Sequence, residues 1–405
     1  MLVSWLTWNG IVILIALPGS ARSSSSHPIL FTYYSLLRRG TRISLRSKVN
    51  DSLLVGMRII DTLLPVGRGQ RQLILGDRYS GKSSIFFTIL IKLNIFNIIG
   101  SIDGFGSRRA FGIYIGINLN LSKLNSIINS LLLINWYSLL ISTHSSSTSL
   151  FSFLLPLIGT SLCERLRDRG IDSIICYDDI SKHSKSYRQI SLLLAKIPSR
   201  DAYPADIFNI HSSLLERCSK LKSSYYSGSI TAFPIIETIN SDITEYIATN
   251  LISITDGQFY TNKELFLNSI RPAIDTSLSV SRIGSSAQCK WIKVVSTGIK
   301  NEVTNYRLMD LNTNSYLFTK LISLNSIFIQ DHFFTSSIET NITLLLLYKN
   351  EFLFNTSTDI YTINYLLSSE FLYLYYILFL TKYYYFLTNY YLINSFSLFL
   401  ILTGD

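Results

Sequence analysis

RQLILGDRYSGKSS, residues 71–84, decides the fold. The first five residues are an apolar strand run, and from Gly76 the skeleton is G-x-x-x-x-G-K-S. A strand that turns through Gly76 and Gly81 into a helix aims successive backbone N–H groups at one point. The helix N-terminus adds its dipole there, and phosphate is what such a nest binds. Lys82 is placed to reach the β- and γ-phosphates, and Ser83 offers a hydroxyl to Mg²⁺. Asp77, Arg78, Tyr79, Ser80 and Ser84 complete the candidate nucleotide-binding loop. SSIFFTILIKL (83–93) supplies the helix that the mechanism requires. The plainer alternative is a glycine turn beside a surface lysine.

Outward from the loop, apolar runs punctuate the chain. Strands are expected at FGIYIGI (111–117), WYSLLIS (136–142), DSIICYD (172–178), GSITAFPII (228–236) and NLISITD (250–256). Helical patterns fall near 187–196 and 205–221. Strands alternating with helices predict an α/β fold with a mostly parallel sheet and right-handed crossovers. IICYDD (174–179) is a second nucleotide signal: an apolar strand ending in Asp178, with Asp179 beside it, can hold Mg²⁺ directly or through water. Taken alone, a strand-ending Asp is as often a helix cap.

Composition narrows the function classes. The chain has 405 residues, room for two or three domains. It is 48% hydrophobic and 15% charged, against a usual charged share of about 25%. Tyr (25) and Phe (23) outnumber Gly (20) and Pro (8), the drift that AT-rich codons of an organelle genome give. The net charge is +10, but no Lys/Arg run or basic–aromatic interleave appears, so nucleic acid is not the expected partner. Cys163, Cys176, Cys218 and Cys289 form no C-x-x-C pair and no zinc spacing, and read as buried free thiols.

The flanks are less informative. Residues 1–40 read as an extension. Residues 1–50 hold no Asp or Glu but carry Arg22, Arg38, Arg39, Arg42, Arg46 and the run Ser23–Ser26, like an organelle transit peptide. Residues 2–18, LVSWLTWNGIVILIALP, are apolar and suit a signal-like segment or short membrane anchor equally well. The α/β block spans 41–295. Beyond it, 296–365 reads as an eroded helical domain with a helix over 338–350, and 366–405 as an apolar Leu/Phe/Tyr tail. That tail is expected to be a helix buried in an assembly rather than a membrane segment, the alternative its apolarity also permits.

From GTRIS (40–44) to about residue 300 the chain resembles the alpha-subunit family of rotary proton-translocating ATP synthases. The resemblance is carried by VGMRIIDTLLPVGRGQRQLILGDRYSGKSS (55–84), YDDISKHSKSYRQISLLL (177–194) and RDAYPADIFNIHSSLLERCSKL (200–221). GSITAFPIIET (228–238), TNLISITDGQ (249–258) and IRPAIDTSLSVSRIGSSAQ (270–288) add to it. It implies a RecA-like P-loop NTPase domain followed by a degenerate helical one. It implies alternation with beta subunits in a hetero-hexamer around the central stalk gamma subunit, with a peripheral stalk, and membrane association through the complex. The expected compartment is the mitochondrial inner membrane, matrix side, with a plastid or bacterial membrane as alternatives.

The same resemblance implies bound Mg-ATP or Mg-ADP that does not turn over, and assigns Arg282 as an arginine reaching in trans into the catalytic site of beta; the alternative is a surface arginine. Arg271 and Pro272 are implied near the adenine, and Gln330, with His332 as a substitution, as a further adenine contact. Such rings place the water-orienting carboxylate at the end of the strand after the loop helix. In GIYIGINLN (112–120) that end offers Ile117 and Asn118, and no carboxylate. Tyr79, Ser80 and Ser83 depart from the loop's GDRQTGKT pattern, and 1–40 leaves no room for the family's N-terminal β-barrel. Two other readings stay open: an independent RecA-like ring ATPase or helicase, since PVGRGQR also resembles Rho-type helicases, and a structural remnant that binds no nucleotide.

Overall fold

In the computed structural model, residues 2–8, 11–17, 36–102, 110–134, 138–238, 241–308, 315–331 and 333–349 are described. The apolar tail, the Arg/Ser run at 22–26 and His332 lie outside them. The strands are β1 (Leu2–Trp8), β2 (Ile11–Leu17), β3 (Ser52–Leu53), β4 (Val66–Gly67), β5 (Gln72–Gly76), β6 (Ala110–Leu119), β7 (Ser138–His144), β8 (Asp172–Asp178), β9 (Ile230–Glu237), β10 (Gly257–Thr261) and β11 (Ile274–Ser281). Among the described residues the main sheet has the order β1-β2-β7-β6-β8-β9-β5-β10-β11. The six strands from β7 to β10 run parallel; β1, β2 and β11 join antiparallel at the edges.

The helices that position the site are α1 (Arg58–Leu63), α2 (Lys82–Ile102), α3 (Leu121–Ile134), α4 (Ser149–Arg167), α5 (Ile180–Leu193), α6 (Ile207–Glu216) and α7 (Tyr246–Ile254). After them come α8 (Lys263–Leu267) and α9 (Gly284–Ala287). Central strands covered on both faces are apolar through their middle residues, as parallel sheets require. On β6 the alternation is clear. Ile113, Ile115 and Ile117 enter the core cluster with Leu155 of α4 and Ile175 of β8. Gly112 and Tyr114 turn the other way, Gly112 against Leu90 and Tyr114 against Phe86 and Phe87 of α2. Helix α4 alone among the described residues is long and apolar enough to cross a bilayer. It packs on this sheet, with Gly159 so close to Ile115 that a Cβ there would lie 2.2 Å from Ile115 Cδ1.

Two expectations change. NLISITD (250–256), expected as a strand, is the end of α7, and the strand follows it as β10. Ile247, Ala248 and Leu251 are buried one helical turn apart, a period of 3.6 that the apolar run hides. Residues 2–18 supply β1 and β2, paired from Leu2↔Leu17 to Trp8↔Ile11, and β2 adds to the sheet along β7.

The chain divides into two compact units. One comprises 1–309 and 328–335 and contains the sheet. The other comprises 310–327 and 336–405; its described part is most of the helix Ser315–Phe328 and the helix Ile338–Lys349, in which Leu344, Leu345 and Tyr348 are buried.

Candidate functional site

Gly76 closes β5 at a φ of 152°, and a Cβ there would meet Thr261 Oγ1 at 2.0 Å, so only glycine fits. The loop then runs through Tyr79, left-handed at φ 61° with its ring 85% exposed, and Gly81 at φ 84°, into α2 at Lys82. Ser80 Oγ donates to Asp77 O at 2.7 Å and lies 2.7 Å from Thr261 Oγ1, which pins the loop to β10. Asp77 accepts from Thr238 Oγ1 (2.8 Å), Ser241 N (2.8 Å) and Ser241 Oγ (2.9 Å). Partial burial works against its charge, but these hydrogen bonds hold its carboxyl below the usual range. Ser84 Oγ donates to Gly81 O at 2.6 Å, inside the first turn of α2.

The Lys82 ammonium is buried and folds back on the loop, donating to Gly76 O at 2.8 Å and to Asp77 O. Burial lowers its pKa, while Glu237, Asp179, Asp178 and Asp77 pull the other way. A buried ammonium satisfied only by carbonyls is well placed to exchange them for phosphate oxygens, which are stronger acceptors.

Beside the loop, an apolar slot opens between Met57, Ile85, Phe266, Pro272 and Phe334, with Ser80, Gly81 and Ser84 at its inner end. Its volume is about 150 Å³. Arg271 stands with its guanidinium 4.8 Å from the centre of the Phe266 ring, and Arg271 O accepts from Gln330 N at 2.8 Å. Arg271 and Pro272, together with Gln330 farther along the chain, thus line one cavity with the loop. The Gln330 side chain is already committed, accepting from Arg58 N (2.7 Å) and donating to Gly56 O (3.2 Å). It therefore fixes the wall of the slot through the backbone of 56–58.

Asp178 ends β8, buried at 2% exposure. Its Oδ2 accepts from the Tyr114 hydroxyl and from Lys123 Nζ at 2.9 Å. Partial burial opposes the charge on Lys123, but the Asp178 carboxylate outweighs it and raises the pKa. Of the two groups expected to hold Mg²⁺, Ser83 and Asp178, the carboxylate is covered by a phenol and an ammonium. They do not fit an open divalent-cation site. Asp179 caps α5, accepting from Ser181 N at 2.9 Å; burial raises its carboxyl to about 6.

Ile117 needs a correction. Its side chain is fully buried in the core cluster, on the face opposite Tyr114, so it does not face the loop at all. The strand becomes irregular between Gly116 and Leu119. Asn118 adopts φ 49° there, and its side-chain oxygen accepts from Ser152. The end of β6 still offers no carboxylate, through Asn118, Leu119 and Asn120. Sequence reasoning missed Glu237, which pairs in register with Gly76 at the end of β9 and lies 3.4 Å from Arg78 Nε. Its signal was the acidic residue closing GSITAFPIIE.

Arg282 lies elsewhere. Ser281 pairs with Gly257 and Gly257 with Gln72, whereas the loop leaves from Gly76, opposite Thr261. At ~3.3 Å per residue, the four steps from Gln72 to Gly76 put Arg282 about 13 Å away along the strands, at the other end of the sheet. Its backbone N donates to Asp256 O at 3.0 Å, and among the described residues its guanidinium makes only long contacts with Thr255 O (3.4 Å) and Ile252 O (3.5 Å).

Residues 56–281 match the ATP synthase alpha/beta family, nucleotide-binding domain. "ATP synthase subunit alpha, mitochondrial" of Dictyostelium citrinum is 42% identical over 276 residues, covering 67% of this chain and 51% of that protein. "ATP synthase subunit alpha" of Carsonella ruddii (strain PV) is 42% identical over 275 residues, 65% and 55% of the respective chains. That of Orientia tsutsugamushi (strain Boryong) is 39% identical over 282 residues, 69% and 54%. The chain spans about half the length of these relatives.

Proposed function

The chain belongs to the ATP synthase alpha/beta family, and from that premise we propose that it serves as a non-catalytic, nucleotide-holding alpha subunit of a proton-translocating ATP synthase. The adenine lies in the slot between Phe266, Pro272 and Phe334. The phosphates of ATP or ADP lie on the loop amides and Lys82. Arg282 serves a neighbouring beta subunit, where its charge stabilises the phosphoryl group in transfer. The complex is a ring of alternating alpha and beta subunits with a central gamma and a peripheral stalk, on the matrix side of the mitochondrial inner membrane.

One observation carries this reading: Arg282 stands at the opposite end of the sheet from the chain's own phosphate loop. An exposed guanidinium there cannot reach the chain's own nucleotide, but it is available to another subunit. The test is Arg282→Ala in the assembled complex. Assembly should be unchanged while ATP synthesis collapses; undiminished synthesis in an assembled complex would sink the assignment.

Glu237 favours a second reading, in which this chain hydrolyses ATP itself, because it puts a carboxylate beside the loop. Its pairing with Arg78 and the absence of a carboxylate at the end of β6 favour the first. Steady turnover by the purified chain, lost in Glu237→Gln, would favour the second.

A further inference from the structure

Tyr114, Lys123 and Asp178 form a closed cluster at the point where a P-loop site ordinarily keeps its metal. Mg²⁺ demands near-ideal octahedral oxygen ligands at short distance and gives up water reluctantly. Here Asp178 Oδ2 accepts from the Tyr114 phenol and from Lys123 Nζ. A divalent ion on that oxygen would have to displace two donors and stand beside a fixed positive charge. Both intruding groups come from one stretch of chain: Tyr114 from β6, and Lys123 from the first turn of α3 directly after it. The position of Lys123 is fixed further by Leu124 N donating to Asn120 O at 2.9 Å. An ammonium carries three N–H donors, and the bond to Asp178 uses one.

We infer that the Lys123 ammonium takes the place of the divalent cation on Asp178, so that this site accepts ATP or ADP without metal. The nucleotide then meets two ammonium groups, Lys82 from the loop and Lys123 from α3. Asp178 acts through Lys123, as a positioning residue for that charge. This inference rests on the nucleotide-holding reading above.

Equilibrium dialysis of the purified full chain with labelled ATP, in excess Mg²⁺ and again in EDTA, tests it. The wild-type affinity should agree within about threefold between the two conditions, since the protein's own cation replaces the metal. Lys123→Met should lose on the order of tenfold or more in EDTA and regain it with Mg²⁺. Lys123→Arg, which keeps the charge, should remain indifferent to metal. Should Lys123→Met not fold, judged by near-ultraviolet circular dichroism, the wild-type and Lys123→Arg measurements decide alone. Wild-type binding that collapses in EDTA overturns the inference and leaves nucleotide holding intact. Lys123→Met as metal-indifferent as wild type overturns the role of Lys123. No binding in either condition overturns both this inference and the reading on which it rests.

Discussion

The two ends of the sheet are built on opposite plans. At the end where β5, β8 and β9 finish, polar groups are satisfied by one another: Lys82 on loop carbonyls, Asp77 on Thr238 and Ser241, Asp178 on Tyr114 and Lys123. At the other end, the Arg282 guanidinium is exposed and, among the described residues, makes only contacts at 3.4 and 3.5 Å. A closed network keeps a ligand inside its own chain, whereas a loosely held charge at an edge is available to another molecule. On the proposed reading, the difference teaches that nucleotide holding and the contribution to catalysis belong to separate parts of the molecule, which mutation can separate.

The largest expected effect breaks the two ends apart. Arg282→Ala should lower ATP synthesis by the assembled complex by about 10³-fold or more, the usual weight of an arginine finger. The affinity of this chain for nucleotide, measured by dialysis, should stay within about twofold, because the loop is remote. Lys82→Ala should do the reverse, lowering that affinity roughly ten- to a hundredfold through loss of a charged hydrogen bond. If the two variants share one profile, the separation fails.

Next in size is the pH response of the nucleotide end. Behind Asp179, the rings of His183 and His211 are buried, with His183 Nδ1 3.4 Å from His211 Nε2. Burial lowers His183 to about 4 and His211 to about 3, from 6.5. Between 6.5 and those values the unfolded chain binds protons that the folded chain excludes, so stability falls as pH falls through that window. Asp61, raised by burial to about 7, and Asp179, at about 6, titrate in the opposite sense. The difference between wild type and His211→Phe cancels their contribution. It should shrink by on the order of 3 kcal/mol from pH 6.5 to pH 4, measured by denaturant unfolding. A flat difference curve would mean that the ring is not held neutral.

Gly76→Ala should cost roughly 1–3 kcal/mol, since its methyl group would push β5 off Thr261, and should weaken nucleotide binding with it. The smallest effect is Tyr79→Asn. A left-handed backbone costs a non-glycine residue roughly 1–2 kcal/mol, and Asn tolerates it better. The variant should therefore melt slightly higher than wild type, while synthesis is unchanged. What Tyr79 contributes in return has no explanation in its surroundings.

The sequence was most legible where chemistry is local. The loop from Gly76 to Ser84 is one contiguous stretch, and DSIICYD coincides with β8. Parity was harder. Ile117 lies on the strand as expected, but with a period of two it belongs with Ile113 and Ile115 in the core. Least legible were Tyr114, Lys123 and Glu237, which are ordinary residues until the strand order β6-β8-β9-β5 brings their ends together. That order is set by long-range crossovers, and no short window of sequence carries it.

Gly284 carries a last consequence. A Cβ there would lie 1.6 Å from Pro65 O, and the same carbonyl accepts from Ser281 Oγ at 2.6 Å. Arg282 is thus clamped at both sides to one backbone atom, one residue before it by Ser281 and two after it by Gly284. Flexible side chain and rigid anchor together resemble a tethered tool: the guanidinium can swing, but its point of attachment cannot drift. On the proposed reading, a missing side chain therefore sets the tolerance within which two different proteins must fit, and selection on the neighbour's chemistry would be felt at a residue that touches no substrate.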